Sequence, residues 1–136
     1  MGLDMYLCRH KREANTEPRE IIENVNSFNE SVVYWRKANQ IRGWFASNLA
    51  DFEDNGKTLV TEEDLDELIG LVNHVLACHA DDLAKELLPP TDGFFFGGTE
   101  IDEYYWETLK TTAEELNLVR DDTDFKNEFL YYYEWY

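Results

Sequence analysis

The sequence predicts a small α+β domain in which about three main helices pack on a short antiparallel sheet, and three observations predict it. Strand-like runs stand at both ends of the chain, Leu3 to Cys8 and Phe129 to Tyr136. Three stretches between them carry apolar residues at helical spacing. With 136 residues, 43% of them apolar and 15% aromatic, the chain can bury a real core in one domain spanning residues 1–136. No internal repeat, low-complexity tract or Gly/Ser linker divides it.

Taken in order, Leu3, Met5 and Leu7 alternate with Asp4 and Tyr6, which predicts a strand to about Cys8. Residues 11–30 are polar, are broken by Pro18, and suggest at most a turn of helix around Ile21–Val25. A helix is expected from Ser31, with Tyr34, Ala38, Ile41, Phe45 and Leu49 inward and Trp44 widening the stripe, ending before the turn Asp54-Asn55-Gly56. Thr58-Leu59-Val60 reads as a short strand. Thr61 then caps a second helix whose first turn holds Glu62, Glu63 and Asp64, where the helix dipole favours acids. Its stripe runs Leu65, Leu68, Ile69, Val72, Val75, Leu76, His79 and Leu83 to the stop at Pro89-Pro90, so His79 is expected in the core. Gly93 to Gly98 reads as a strand or tight loop. A third helix follows from Asp102 to Val119, with Ile101, Tyr105, Leu109, Leu116 and Val119 inward. The β-prone end, Phe129 to Tyr136, is expected to pair with another strand, the N-terminal one being the candidate.

Charge is the most prominent feature: 12 Lys and Arg against 29 Asp and Glu give −17. Residues 1–42 hold seven bases and six acids, so all the excess negative charge lies in residues 43–136. Self-repulsion of this size destabilises the compact state, and a basic partner would make use of it. The same charge argues against direct binding to nucleic acid or an anionic membrane. No run of eighteen apolar residues occurs, and the N-terminus does not read as a secretory signal. A cytoplasmic protein with two reduced, mostly buried cysteines, Cys8 and Cys78, is expected.

Glu103, Glu107 and Glu114 fall on one face of the third helix, and Asp102 lies at its start. Glu62, Glu63, Asp66 and Glu67 stand on the second helix. Carboxylates four apart on a helix are about 6 Å apart, a spacing that invites comparison with nucleic-acid phosphates. A rigid face of this kind fits a nucleic-acid-binding groove on another protein, with Tyr104 and Trp106 as anchors and Trp135 and Tyr136 as further aromatics. A solvated surface with no partner explains the same acids. The exception to the acidity is Trp35-Arg36-Lys37-Ala38-Asn39. If helical, it places Arg36, Asn39 and Gly43 on one face beside Trp35, a grouping suited to a phosphate or nucleobase. Such residues also commonly tie a helix to acidic loops.

Residues 51–62 fit part of a calcium-loop pattern, with Asp51, Glu53, Asn55 and Glu62 at the first, third, fifth and twelfth positions and Gly56 at the sixth. Glu53 and Thr58 depart from it, no second loop exists, and a turn before a capped helix accounts for the same residues. His74, Cys78, Cys8 and His10 match no common zinc spacing. There is no nucleophile elbow, phosphate loop or dinucleotide fingerprint, so neither an enzyme nor a cofactor is expected.

Several stretches carry a resemblance: Met1-Gly2-Leu3-Asp4-Met5-Tyr6-Leu7; Tyr34-Trp35-Arg36-Lys37-Ala38-Asn39-Gln40-Ile41 with Trp44-Phe45; and Thr61-Glu62-Glu63-Asp64-Leu65. Others are Leu87-Leu88-Pro89, Gly93-Phe94-Phe95-Phe96-Gly97, and Asp102-Glu103-Tyr104-Tyr105 with Leu109. In order along most of the chain, they resemble small proteins of phages, prophages and bacteria. The resemblance brings no activity with it. It implies a mobile-element habitat, where small acidic proteins often block host proteins. The expected function is therefore a phage-type interaction protein that binds and inhibits a host factor, of the anti-CRISPR kind, as a partial DNA mimic. Its partner would be a host protein with a basic, nucleic-acid-binding surface. The alternative is a nucleotide-like small-molecule binder, with Trp35, Arg36, Lys37 and Asn39 holding the ligand and Phe95, within Phe94–Phe96, forming a wall.

Overall fold

The two ends of the chain form the middle of a four-stranded antiparallel sheet. The computed structural model describes residues 2–93 and 97–136, with only the backbone of Phe28. Strand β1 (Asp4–Lys11) pairs along its full length with β4 (Glu128–Trp135), from Asp4 opposite Trp135 to Lys11 opposite Glu128. The expected pairing of the two termini is thus observed. Outside β1 lies β2 (Ser31–Arg36), and outside β4 lies the short β3 (Lys57–Val60), giving the order β2-β1-β4-β3. The helices are α1 (Pro18–Ile22), α2 (Asn39–Asn48), α3 (Glu62–Cys78), α4 (Asp81–Leu87) and α5 (Glu103–Asp122), and a 3-10 turn spans Ser27–Asn29. No described helix is long and apolar enough to cross a membrane.

Strand side chains alternate between the two faces of a sheet. Met5, Leu7, Val33, Trp35, Val60, Leu130 and Tyr132 therefore face one side, where they join Ile41 and Phe45 of α2, Leu65, Leu68 and Val72 of α3, and Leu109 and Leu116 of α5 in one core. Phe45 stacks on Tyr132 with ring centroids 4.2 Å apart. The opposite face is covered only in part. Ile21 and Ile22 of α1 bury Cys8, Phe129 and Tyr131 there. Next to that cluster Tyr34, Tyr6 and Tyr133 stand in one row across three strands, with centroid separations of 5.3 Å and 5.8 Å.

Two expectations about helices are corrected. The expected helix from Ser31 is strand β2 followed by α2, which begins only at Asn39. Ser31 to Trp35 is rich in β-branched and aromatic residues, and in the extended form Val33 and Trp35 turn into the core while Tyr34 and Arg36 turn out. The helical spacing of Tyr34 with Ala38 and Ile41 is coincidental, since Tyr34 is 49% exposed on the far face. Further along, the single helix expected up to Pro89-Pro90 is broken. Thr61 and Asp64 form the capping box that starts α3, but His79 adopts a left-handed φ of +46° and ends it. The short α4 then restarts with Asp81 and Asp82 in its first turn, where the dipole favours them. His79 is exposed rather than in the core, and its ring stacks on Trp106 at 4.0 Å.

Glycine 43 lies within α2, where alanine would ordinarily be preferred by about 1 kcal/mol. A Cβ there would stand 2.5 Å from Thr91 Cγ2, so the missing side chain is what lets the segment after α4 close on α2. At the end of the chain a buried charge network joins distant parts of the sequence. The fully buried Glu134 carboxylate accepts hydrogen bonds from Arg42 Nε and Nη2 at 3.0 Å each, from the Tyr132 hydroxyl at 2.9 Å and from the Asn55 N–H at 3.0 Å. Arg42 also bonds Asp54 and lies over the rings of Phe52 and Tyr136.

Candidate functional site

The acids on α5 form a row. Glu103, Glu107 and Glu114 are all exposed, and none makes an ion pair among the described residues. Lys110 interrupts the row. Asp102 caps the helix, its Oδ1 accepting from the Tyr105 N–H at 3.1 Å. Tyr104, 51% exposed, donates its hydroxyl to the Arg36 carbonyl at 2.6 Å. The acids of α3 are in a different situation. Arg120, near the end of α5, bonds Glu62 and Asp66 at 2.7 Å each, leaving Glu63 and Glu67 as the outward acids there. Glu114, the last acid of the row, lies six residues before Arg120, about 9 Å along α5, and Glu103 lies at the far end of the helix. Trp106 is half-buried beneath His79, whereas Trp135 is 60% exposed at the opposite face of the sheet.

A cleft of about 360 Å³ opens between the start of α2 and the start of α5, lined by Lys37, Asn39, Gly97, Gly98, Glu100, Asp102 and Tyr104 among others. Of the described residues expected to hold a ligand, only Lys37 and Asn39 line it. Trp35 is buried in the core, where its indole N–H donates to Thr112 Oγ1 at 2.8 Å. Arg36 is an outward residue of β2 opposite Asp4, so the expected shared helix face of Arg36, Asn39 and Gly43 does not exist. Phe95 lies outside the described residues. Asn39 acts as a clamp: its Nδ2 donates to the Gly98 carbonyl at 2.8 Å and its Oδ1 accepts from the Thr91 N–H at 3.0 Å.

Lys37 is the unusual member of the cleft. Its φ of +54° is rare for a residue with a side chain. Its stem runs between two glycines: a Cβ at Gly2 would lie 2.8 Å from Lys37 Cε, and one at Gly97 would lie 3.4 Å from Lys37 Cβ. No ion pair or hydrogen bond engages its ammonium among the described residues. The cleft therefore combines the ammonium of Lys37, on a stem flanked by the two glycines, with the carboxylates of Glu100 and Asp102 and the aromatic ring of Tyr104. Tyr105, at its floor, donates to the Leu88 carbonyl at 2.7 Å, and burial followed by Asp81 pushes its hydroxyl up to about 12.

The metal patterns disperse. Asp51 pairs with Arg19 at 2.8 Å, Asn55 Oδ1 accepts from the Tyr136 N–H at 2.8 Å, and Glu62 is held by Arg120, while Glu53 stays exposed in the turn. Cys8 is buried and Cys78 exposed, correcting the expectation for the latter. Burial pushes the Cys8 thiol up to about 12, which makes it a poor nucleophile. No group of three or more His, Cys, Asp or Glu placed to hold a metal ion occurs among the described residues.

The reading of the sequence missed two features. One is the tyrosine row on the open sheet face. The other is a groove of about 210 Å³ between β2 and α5, lined by Tyr34, Arg36, Tyr104, Glu107, Thr108 and Thr111 among others. The only signal for either was the strand alternation of Val33, Tyr34, Trp35 and Arg36, which helical spacing obscured. Comparison of the chain with family profiles, with curated proteins and with solved structures finds no match.

Proposed function

We propose that this chain is an acidic interaction protein that binds a basic partner along the outer face of α5. The observation that supports the reading is the row of Glu103, Glu107 and Glu114, exposed and without ion pairs among the described residues, on a helix braced by its packing on the core and by the Arg120 bonds to α3. The helix backbone that carries these carboxylates is already ordered, so a partner has only their side chains left to order. A field of this sign also steers a basic surface toward it at a salt-dependent rate. The resemblance to small phage and prophage proteins extends the reading to inhibition of a host nucleic-acid-handling factor by partial DNA mimicry. The test is a pull-down from host lysate with the tagged chain and with the triple variant E103K/E107K/E114K. A basic protein held at about 0.15 M salt, released at about 1 M salt and lost with the variant is the expected result. Equal capture by both proteins refutes the reading.

A second reading is favoured by the Lys37 cleft, with a small anionic or zwitterionic ligand held against the lysine. A ligand at a hundred times its Kd adds about 2.7 kcal/mol of stability. A nucleotide panel that raises the Tm of the wild type but not of Lys37→Met is the expected result. No shift with any nucleotide counts against it.

A further inference from the structure

Strand β2 ends the sheet on one side, and its register fixes which backbone groups face outward. The Lys37 N–H donates to the Leu3 carbonyl at 2.8 Å, and Met5 stands opposite Trp35. Hydrogen-bonded and non-hydrogen-bonded pairs alternate in an antiparallel ladder, so the intervening Tyr34 and Arg36 turn their N–H and C=O groups away from β1. The Tyr104 hydroxyl already takes the Arg36 carbonyl. Among the described residues nothing takes the Tyr34 N–H and C=O or the Arg36 N–H, and these groups lie along the edge, bordering the groove between β2 and α5. Glu107 lines the wall of that groove, and Glu103 and Glu114 lie on the same row of α5.

We infer that this edge takes up an extended, lysine- or arginine-bearing segment of the partner protein as a fifth, antiparallel strand seated in the groove between β2 and α5. The inference rests on the reading of α5 as the docking face and names the form of the partner. An added strand gains main-chain hydrogen bonds from the edge and specificity from alternate side chains. Tyr34 presents its backbone groups to the edge and its ring to the open sheet face. The residues opposite Tyr34 and Arg36 therefore pair through their own backbone and place apolar side chains beside the tyrosine row. The alternate residues point toward α5, where Glu107 and its neighbours call for positive charge. A second copy of this chain fits the edge less well. Antiparallel pairing of two β2 strands would bring the two α5 acid rows alongside each other in chains of net charge −17 each.

The test uses the full chain labelled with ¹⁵N and end-blocked eight-residue peptides of alternating Lys and Val. Three peptides are compared: one unmodified, one N-methylated at every valine and one N-methylated at every lysine. The unmodified peptide is expected to shift the amides of Tyr34 and Arg36 and slow their exchange. Methylation at the valines should weaken binding at least about tenfold, and methylation at the lysines less than about threefold. Equal effects of the two methylations, or none from either, overturn strand addition. So does the absence of any shift at Tyr34 and Arg36, or a concentration-dependent shift there without peptide, the mark of a second copy. The reading of α5 fails separately, if E103K/E107K/E114K leaves affinity for the unmodified peptide unchanged.

Discussion

Replacing Glu134 by Ala tests the buried network that ties the C-terminal strand to α2. The carboxylate accepts four hydrogen bonds at 2.9–3.0 Å and is wholly buried. Removing one partner of a buried ion pair costs about 3–5 kcal/mol, because the other charge is left uncompensated. Arg42 keeps the exposed Asp54 at 2.7 Å and the rings of Phe52 and Tyr136, which places the electrostatic loss near the lower figure. The Tyr132 hydroxyl and the Asn55 N–H each lose an acceptor, at about 1 kcal/mol apiece. The expected loss is about 4–5 kcal/mol, a large share of the 5–15 kcal/mol typical of a domain, and a fall in Tm of roughly 14–17 °C. Urea denaturation followed by tryptophan fluorescence measures it. The double variant R42M/E134M should lie within about 2 kcal/mol of wild type, since apolar replacement of a whole buried pair is often nearly neutral. A loss below about 1.5 kcal/mol for E134A, or additive losses in the double variant, refutes the account.

Three other predictions concern local features. Burial, followed by Glu114, raises the pKa of Glu115, and its Oε2 is buried with no hydrogen-bond partner among the described residues. A raised folded value means the proton-linked stability is present in full below the unfolded pKa and lost as pH rises, so Glu115→Met should stabilise by about 1 kcal/mol at pH 7; denaturation showing no gain at pH 7 over pH 4 would contradict this. Burial likewise raises Tyr131 and Tyr132, and Tyr105 reaches about 12. Stability should therefore be complete below pH ~10 and fall as pH climbs toward 12, by roughly 3 kcal/mol for Tyr105 alone. Tyrosinate absorbance should rise together with loss of circular dichroism, and titration of these tyrosines in a folded protein would be the contrary result. Finally, Asn39→Ala removes both the Gly98 and Thr91 bonds and should cost about 2 kcal/mol, with amide exchange at Thr91 speeding at least tenfold; unchanged protection at Thr91 would show that the clamp is not needed.

Much of the fold was legible because its causes are local. Alternation marked β1, β-propensity marked β4, a hydroxyl and three acids marked the start of α3, and the apolar stripe from Tyr105 to Val119 marked α5. The candidate site was legible in composition but not in arrangement. The sequence put Glu103, Glu107 and Glu114 on one helix face, and the structure agrees. It offered no means of knowing that Arg120 would occupy Glu62 and Asp66, because residues more than fifty positions apart meet only once α3 and α5 pack.

By itself the sequence determined the charge, the terminal strands, the capped start of α3 and the class of fold, all of which follow from composition and from propensities and periodicities acting over a few residues. Tertiary structure decided the rest. It made Ser31 to Arg36 an edge strand, because the core offered Val33 and Trp35 a place beside Met5 and Leu7 that a helix could not fill from the same residues. It brought Lys37 between Gly2 and Gly97, two glycines far apart in the sequence. It also neutralised Arg42 with a carboxylate 92 residues away. Such pairings depend on register and packing over the whole chain, which no local pattern encodes.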